Sequence, residues 1–319
     1  MSQNPFDPQL FRREAIPTEV RAFNEAFLTR MAGLPSPTNR SREGRDAAAP
    51  SPFPQVPKSP RARVRKVPAP GGREVEARII APARGSPHGA YLHLHGGGLV
   101  FGSADQDDGL LARIANATGL AAVSVEYRLA PAHPYPAAWD DCEAAAVWLA
   151  KNVESELGGA ALAIGGESAG ATLAVPVLVR LRDKHGFTGF RAANLSYGNY
   201  DTSMTPSQHW VGANRYLIGT EDIRQCSTAY APDVSQRRNP DMSPLYAQLS
   251  HMPPALFSVG TLDPFLDDSL FVYARWIAAG NEAELAVYPG APHGFNIIGH
   301  PHATGANARI DAFLRARTQ

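Results

Sequence analysis

The sequence is poor in cysteine, in net charge and in long apolar runs. Cys142 and Cys226 are the only two cysteines in 319 residues. They lie far apart and neither sits at zinc-ligand spacing. That excludes a disulfide framework and suits two inert thiols in a reducing cytoplasm, with no metal expected. Lys and Arg together number 30, as do Asp and Glu. This balance argues against nucleic acid or an anionic membrane surface as the main partner. No run approaches the roughly 18 apolar residues of a membrane span. The opening MSQNPFDPQLFRREAIPTEV has no basic start followed by an apolar stretch, so no signal peptide is expected. Neither G-x-x-x-x-G-K-[ST] nor G-x-G-x-x-G occurs, which speaks against a bound nucleotide.

What is present is 44% apolar residues, enough for one large α/β domain with additions. Pro17 and Thr18 give a helix start, and Val20, Phe23, Phe27, Leu28 and Met31 recur at helical spacing behind it. Residues 34–60 are rich in Pro, Ser, Ala and Arg and read as an irregular connection. From Arg40 to Lys66 there are eight Lys or Arg against two acids. This run reads as a solvated segment. Residues 61–82 alternate around a turn at Pro68–Gly72, the pattern of an antiparallel hairpin at a sheet edge.

A strand–helix rhythm follows. Strands are expected at Ala90–Leu94, Ala121–Tyr127, Ala160–Gly165, Ala192–Tyr197, Ala255–Gly260 and Ala283–Tyr288. Helices are expected near 105–117, 138–153, 169–183, 265–280 and 304–316. Apolar strands alternating with amphipathic helices imply a parallel sheet covered on both faces. The rhythm breaks between Asp201 and Met252, where no clear strand appears. A connection that long is usually functional or an insertion. It reads as a cap packing with the N-terminal helix. The expected organisation is therefore an N-terminal cap segment and connection (1–60), a first core part (61–200), a cap insertion (201–252) and a second core part (253–319).

The chemistry centres on Gly166-Glu167-Ser168-Ala169-Gly170, between a strand and a helix. G-x-S-x-G in that setting is a nucleophile elbow. A serine hydroxyl needs a base at neutral pH. His293, in a loop after the last expected strand, is the best placed of ten histidines. The histidine in turn needs an acid. Asp263 directly follows the strand Ala255–Gly260; Asp267 and Asp268 are alternatives one turn into the next helix. The order Ser, Asp, His is that of α/β-hydrolases. His95-Gly96-Gly97-Gly98 follows another strand, and its glycines let backbone N–H groups approach a developing oxyanion. Gly97 and Gly98 are the expected donors, with Ala169 as a third at its helix N-terminus. Phe101, Tyr200 and Trp210 are candidate pocket aromatics, although such residues are more often core.

Together, HGGGLVFGS (95–103), YRLAPAHPYPAA (127–138), GESAG (166–170), LDPF (262–265) and PHGF (292–295) resemble the hormone-sensitive-lipase-like group of α/β-hydrolases. The resemblance implies an eight-stranded, mostly parallel sheet flanked by helices. It also implies a cap made of the N-terminal segment and an insertion after the sixth strand. The implied activity is that of a cofactor-independent serine carboxylesterase acting on short- to medium-chain acyl esters. By analogy alone, a homodimer is implied. The chain departs from the group at Ala132, Glu167, Ala171 and Leu266-Asp267-Asp268. The Tyr127–Ala138 stretch reads as a structural turn bracing the site, with His133 a structural or surface residue. Two other readings share the scaffold. One is an amidase, peptidase or lactonase. The other is a non-catalytic ligand-binding protein, against which the presence of His293 argues.

Overall fold

The fold is that of a computed structural model, which describes residues 6–32, 57–210 and 216–319. Most of the 34–60 connection lies outside the described residues.

Eight strands form one sheet: β1 (Arg63–Ala69), β2 (Arg73–Ile80), β3 (Gly89–Leu94), β4 (Ala121–Glu126), β5 (Ala161–Glu167), β6 (Ala192–Ser196), β7 (Ala255–Gly260) and β8 (Ala283–Tyr288). Their spatial order is β1-β2-β4-β3-β5-β6-β7-β8. β1 and β2 are the expected hairpin, with Val67 opposite Val75, and β1 is the edge strand. Five of the seven β1 residues are exposed and only Val67 is buried, which suits an edge. β2 joins β4 antiparallel, and every pairing from β4 to β8 is parallel.

Parallel neighbours need crossovers, and helices supply them. Around the core lie α1 (Thr18–Ala32), α2 (Asp108–Thr118), α3 (Ala137–Leu157), α4 (Ala169–His185), α5 (Pro206–His209), α6 (Thr220–Tyr230), α7 (Leu266–Ala278) and α8 (Ala303–Thr318). The strands β3, β5, β6 and β7 are buried along their whole length, because both sheet faces are covered. Along β3, Leu92 and Leu94 pack with Trp139 and Leu173 from α3 and α4. Tyr91 points the other way, into a cluster with Ile114, Ile310, Phe313 and Leu314 from α2 and α8. This is the period-two alternation of a strand serving two cores.

Between β6 and β7, the described residues hold only the short α5, α6 and two 3₁₀ turns. Asp268, fully buried in α7, ties down the start of this segment. It accepts from the N–H groups of Tyr200 (2.7 Å) and Asp201 (2.9 Å), Thr205 Oγ1 (2.6 Å) and Gln208 Nε2 (2.9 Å). α1 does meet the segment: Phe27 and Met31 cluster with Leu217 and Ile298. α1 is also held near its middle, where Asn24 Nδ2 donates to the Gly290 carbonyl at 2.8 Å. Among the described residues no helix is long and apolar enough to cross a membrane.

Candidate active site

The chain runs from β3 to β4 on one side, then crosses to β5 on the other. This makes a switch point between the carboxyl ends of β3 and β5, the place where open α/β sheets leave a crevice. Two motifs meet there. The glycine loop leaves β3 and the nucleophile turn leaves β5.

Ser168 sits between β5 and α4 at φ 55°, ψ −118°, a conformation that L-residues avoid. The turn is held by Ser168 N–H donating to the Ser196 carbonyl at 2.9 Å, and by Thr172 N–H returning to the Ser168 carbonyl at 2.9 Å. The flanking glycines are demanded by packing. A Cβ on Gly166 would lie 2.1 Å from the Leu94 carbonyl oxygen, and one on Gly170 would lie 1.7 Å from it. Only bare backbone lets β3 pass beside the turn. Ser168 itself is half-buried.

His293 and Asp263 come to this serine from loops after β8 and β7. His293 Nε2 stands 2.9 Å from Ser168 Oγ. His293 Nδ1 stands 3.1 and 3.0 Å from the two oxygens of Asp263. One Asp263 oxygen also accepts from the Phe265 N–H at 2.8 Å, which fixes the carboxylate. Both side chains are nearly buried, and Tyr197 and Phe265 meet the imidazole edge to face at 4.8 and 5.2 Å between ring centres. The alternative acids point elsewhere. Asp267 accepts from the Ser207 N–H, and Asp268 anchors residues 200–208 as described.

The glycine loop takes a left-handed path, with Gly97 at φ 125° and Gly98 at φ 59°. A Cβ on Gly97 would strike the Phe101 carbonyl oxygen at 2.0 Å, because the Val100 and Phe101 N–H groups both fold back onto the Gly97 carbonyl. Gly96 passes close to the elbow: a Cβ there would lie 3.7 Å from Ser168 Cβ. Ala169 opens α4, so its N–H has no carbonyl one helical turn earlier. The three expected donor residues thus all border Ser168's turn or the loop beside it.

Several supports were not legible in the sequence. His95 stacks on Tyr127 with ring centres 4.0 Å apart, and the Tyr127 hydroxyl donates to the His95 carbonyl at 2.7 Å. Burial pushes the His95 imidazole down to about 3, so it packs as a neutral ring. The Tyr127–Ala138 stretch does brace the site. Ala130 N–H donates to the Leu99 carbonyl of the glycine loop, and Tyr135 N–H to the Tyr230 carbonyl of α6. His133 is a surface residue. Cys226 on α6 lies against the loop: a Cβ on Gly98 would meet its Sγ at 2.7 Å. Cys142 is buried in α3, which pushes its thiol up. Of the candidate pocket aromatics, Tyr200 is core and Phe101 packs against the core, whereas Trp210 is 78% exposed. Trp210, directly after the short helix α5, is no core residue.

Residues 91–297 match the family described as alpha/beta hydrolase fold. The chain is 34% identical over 261 residues to carboxylic ester hydrolase LipN of Mycobacterium tuberculosis, covering 78% of this chain and 69% of that protein. It is 33% identical over 235 residues to ethyl acetate hydrolase of Pseudomonas putida, covering 72% of this chain and 73% of the relative. Among solved structures it resembles the hyperthermophilic esterase from the archaeon Pyrobaculum calidifontis. The TM-score is 0.76 at 28% identity, over 99% of each chain.

Proposed function

The chain belongs to the hormone-sensitive-lipase-like group of the α/β-hydrolase family, as a carboxylic ester hydrolase, and we propose that it works through Ser168, His293 and Asp263. The observation that carries this reading is the 2.9 Å separation of His293 Nε2 from Ser168 Oγ, with Asp263 behind Nδ1. With the proton on Nδ1 shared to Asp263, Nε2 carries the free lone pair and accepts the serine proton. Ser168 Oγ then attacks the ester carbonyl carbon. The resulting oxyanion is held by the N–H groups of Gly97, Gly98 and Ala169. The imidazolium returns its proton to the leaving alcohol, leaving an acyl-serine. Water, deprotonated by the same nitrogen, releases the acid and restores Ser168.

Asp263 stabilises the imidazolium and keeps the tautomer. Its own fixed hydrogen bond from the Phe265 N–H means this geometry needs no rearrangement during the reaction. The organisation into a core and a cap of residues 1–60 and 201–252 belongs to this proposal. The contact of Phe27 and Met31 with Leu217 supports it.

The substrates proposed are short- to medium-chain acyl esters. Two relatives bear on this, since one is named an ethyl acetate hydrolase and another an acetyl esterase. The test has two parts. Ser168→Ala should lower kcat by about 10⁶-fold, as loss of a serine nucleophile does elsewhere, and should abolish labelling by a fluorophosphonate. Retention of most activity would overturn the assignment. A p-nitrophenyl ester series from acetate to hexadecanoate should peak on the short side. A maximum beyond dodecanoate would overturn the chain-length reading.

A further inference from the structure

Directly beneath the nucleophile turn lies a group of side chains that ester hydrolysis does not use. His93 of β3, Asp107 at the foot of α2 and Glu167 at the end of β5 each offer one ligand atom. These atoms all lie within 4.8 Å of one another. His93 is fully buried and Glu167 is 3% exposed. Asp107 is half-buried as a residue.

The hydrogen bonding leaves the group incomplete. Glu167 Oε2 lies 2.9 Å from His93 Nε2, but Glu167 Oε1 is buried with no hydrogen-bond partner. A buried carboxylate oxygen left without a donor or cation is costly. Asp107 is the residue before α2, yet its side chain makes no capping hydrogen bond. It accepts from Gln106 Nε2 at 3.1 Å. The nearby guanidinium of Arg78 is engaged elsewhere, in a two-pronged pair with Asp108. Two carboxylates and one imidazole therefore share a small buried space with an unsatisfied oxygen.

The other imidazole nitrogen is already provided for. His93 Nδ1 lies 3.1 Å from Ser124 Oγ. A histidine that ligates a metal through one nitrogen characteristically donates from the other to an oxygen, which sets its tautomer and ring plane.

We propose that His93, Asp107 and Glu167 bind one divalent cation of the zinc type. One imidazole with two carboxylates suits a borderline ion that accepts nitrogen and oxygen together, better than Mg²⁺ or Ca²⁺. Ligand bonds of about 2.0–2.2 Å require the donors to close on a common centre. The His93–Glu167 contact opens slightly and Asp107 moves inward. A water fills the remaining place. The ion ties β3, β5 and the start of α2 together. Glu167 directly precedes Ser168, and a Cβ on Gly96 would lie 3.1 Å from the Glu167 carbonyl oxygen. The ion thus braces the elbow against the glycine loop without touching the reacting atoms.

The experiment uses tag-free full-length protein, stripped with EDTA, dialysed and titrated with ZnCl₂. Metal content is read by mass spectrometry and melting temperature by fluorimetry. One zinc per chain is expected, with Tm rising by about 4 °C once zinc exceeds its Kd about 100-fold. Asp107→Asn and Glu167→Gln should each weaken binding by at least about 100-fold, more than the loss of an outer-shell partner costs. His293→Ala should bind zinc as the native chain does. Unimpaired binding by folded Asp107→Asn, loss of binding in His293→Ala, or no zinc retained by the native chain would each overturn the proposal. So would equal competition by Mg²⁺. If Glu167→Gln does not fold, Asp107→Asn, at a position less buried than Glu167, decides alone. None of these readouts depends on the esterase activity, so failure here leaves the triad assignment standing.

Discussion

Placing a methyl group on Gly98 tests how tightly the glycine loop is held against α6. Gly98 has φ 59°, where an alanine costs about 1 kcal/mol relative to glycine. Its Cβ would also stand 2.7 Å from Cys226 Sγ, about 1 Å inside ordinary van der Waals contact. Either α6 yields or the loop does. A shift of about 1 Å in a catalytic donor costs on the order of 100-fold in rate, so Gly98→Ala should lower kcat/KM by about that factor. The next atom in line, Cys226 Cβ, would be 3.5 Å from the new methyl, an ordinary contact. Removing only the sulfur should therefore relieve the clash and leave the backbone strain. Cys226→Ala alone should change little. The double variant should recover about tenfold of the hundredfold loss, a coupling of about 1.4 kcal/mol, well within the range for touching residues. The assay is kcat/KM on p-nitrophenyl acetate for all four proteins, with Tm measured in parallel. If Gly98→Ala loses the same factor with and without Cys226, the contact does not control the loop and the reasoning fails.

Other consequences follow from individual contacts. Asp263→Asn should keep the fold and lower kcat by about 10⁴-fold, because an amide there favours the wrong imidazole tautomer; a loss under tenfold would exclude Asp263 as the orienting acid. Asp268→Ala strands two backbone N–H groups and Thr205 Oγ1 in a buried site, while Gln208 Nε2 keeps Asn199 Oδ1 and the Asp201 carbonyl. It should cost about 3–5 kcal/mol and expose residues 200–208 to proteolysis before the core unfolds; limited digestion followed by peptide mapping checks the order. His300, buried between Phe23 and Phe295, is pushed down to about 4 by burial and then by His302. Its folded value lies below its unfolded one, so the native state resists protonation. The stability it contributes is complete above about pH 6.5 and is lost as pH falls towards 4. The loss is at most about 3 kcal/mol. Urea unfolding at pH 7 and pH 5 should show this decline, and His300→Phe should flatten it; an equal slope in both proteins would refute the assignment.

Much of the architecture was legible from local pattern. β7 and β8 match their expected ranges to the residue, and the remaining parallel strands differ by one or two. Strands buried on both faces produce uninterrupted apolar runs, and these stand out against the amphipathic helices between them. The turn at Ser168, the loops carrying His293 and Asp263, and the glycine loop were legible for a related reason. Each follows directly on a strand end, where sequence neighbours are also spatial neighbours. Helix α2 starts three residues later than expected, at Asp108, because the residues before it turn back beneath the glycine loop, with Gln106 Nε2 reaching the Gly96 carbonyl.

Contacts between segments distant in the chain carried no such signal. Cys226 looked like an inert thiol, and only the packing of α6 brings it against Gly98. His93 and Glu167 are 74 positions apart, and their pairing follows from the register that sets β3 beside β5. Trp210, a plausible wall or core residue by type, stands in solvent. The sequence by itself determined the secondary structure, the strand ends and the residues able to do acyl-transfer chemistry, because these depend on neighbours within a few positions. Tertiary structure alone decided that Ser168, Asp263 and His293 converge, which helix leans on the glycine loop and which buried oxygen lacks a partner. Those outcomes depend on strand order and helix docking, which set distances between groups that no local periodicity encodes.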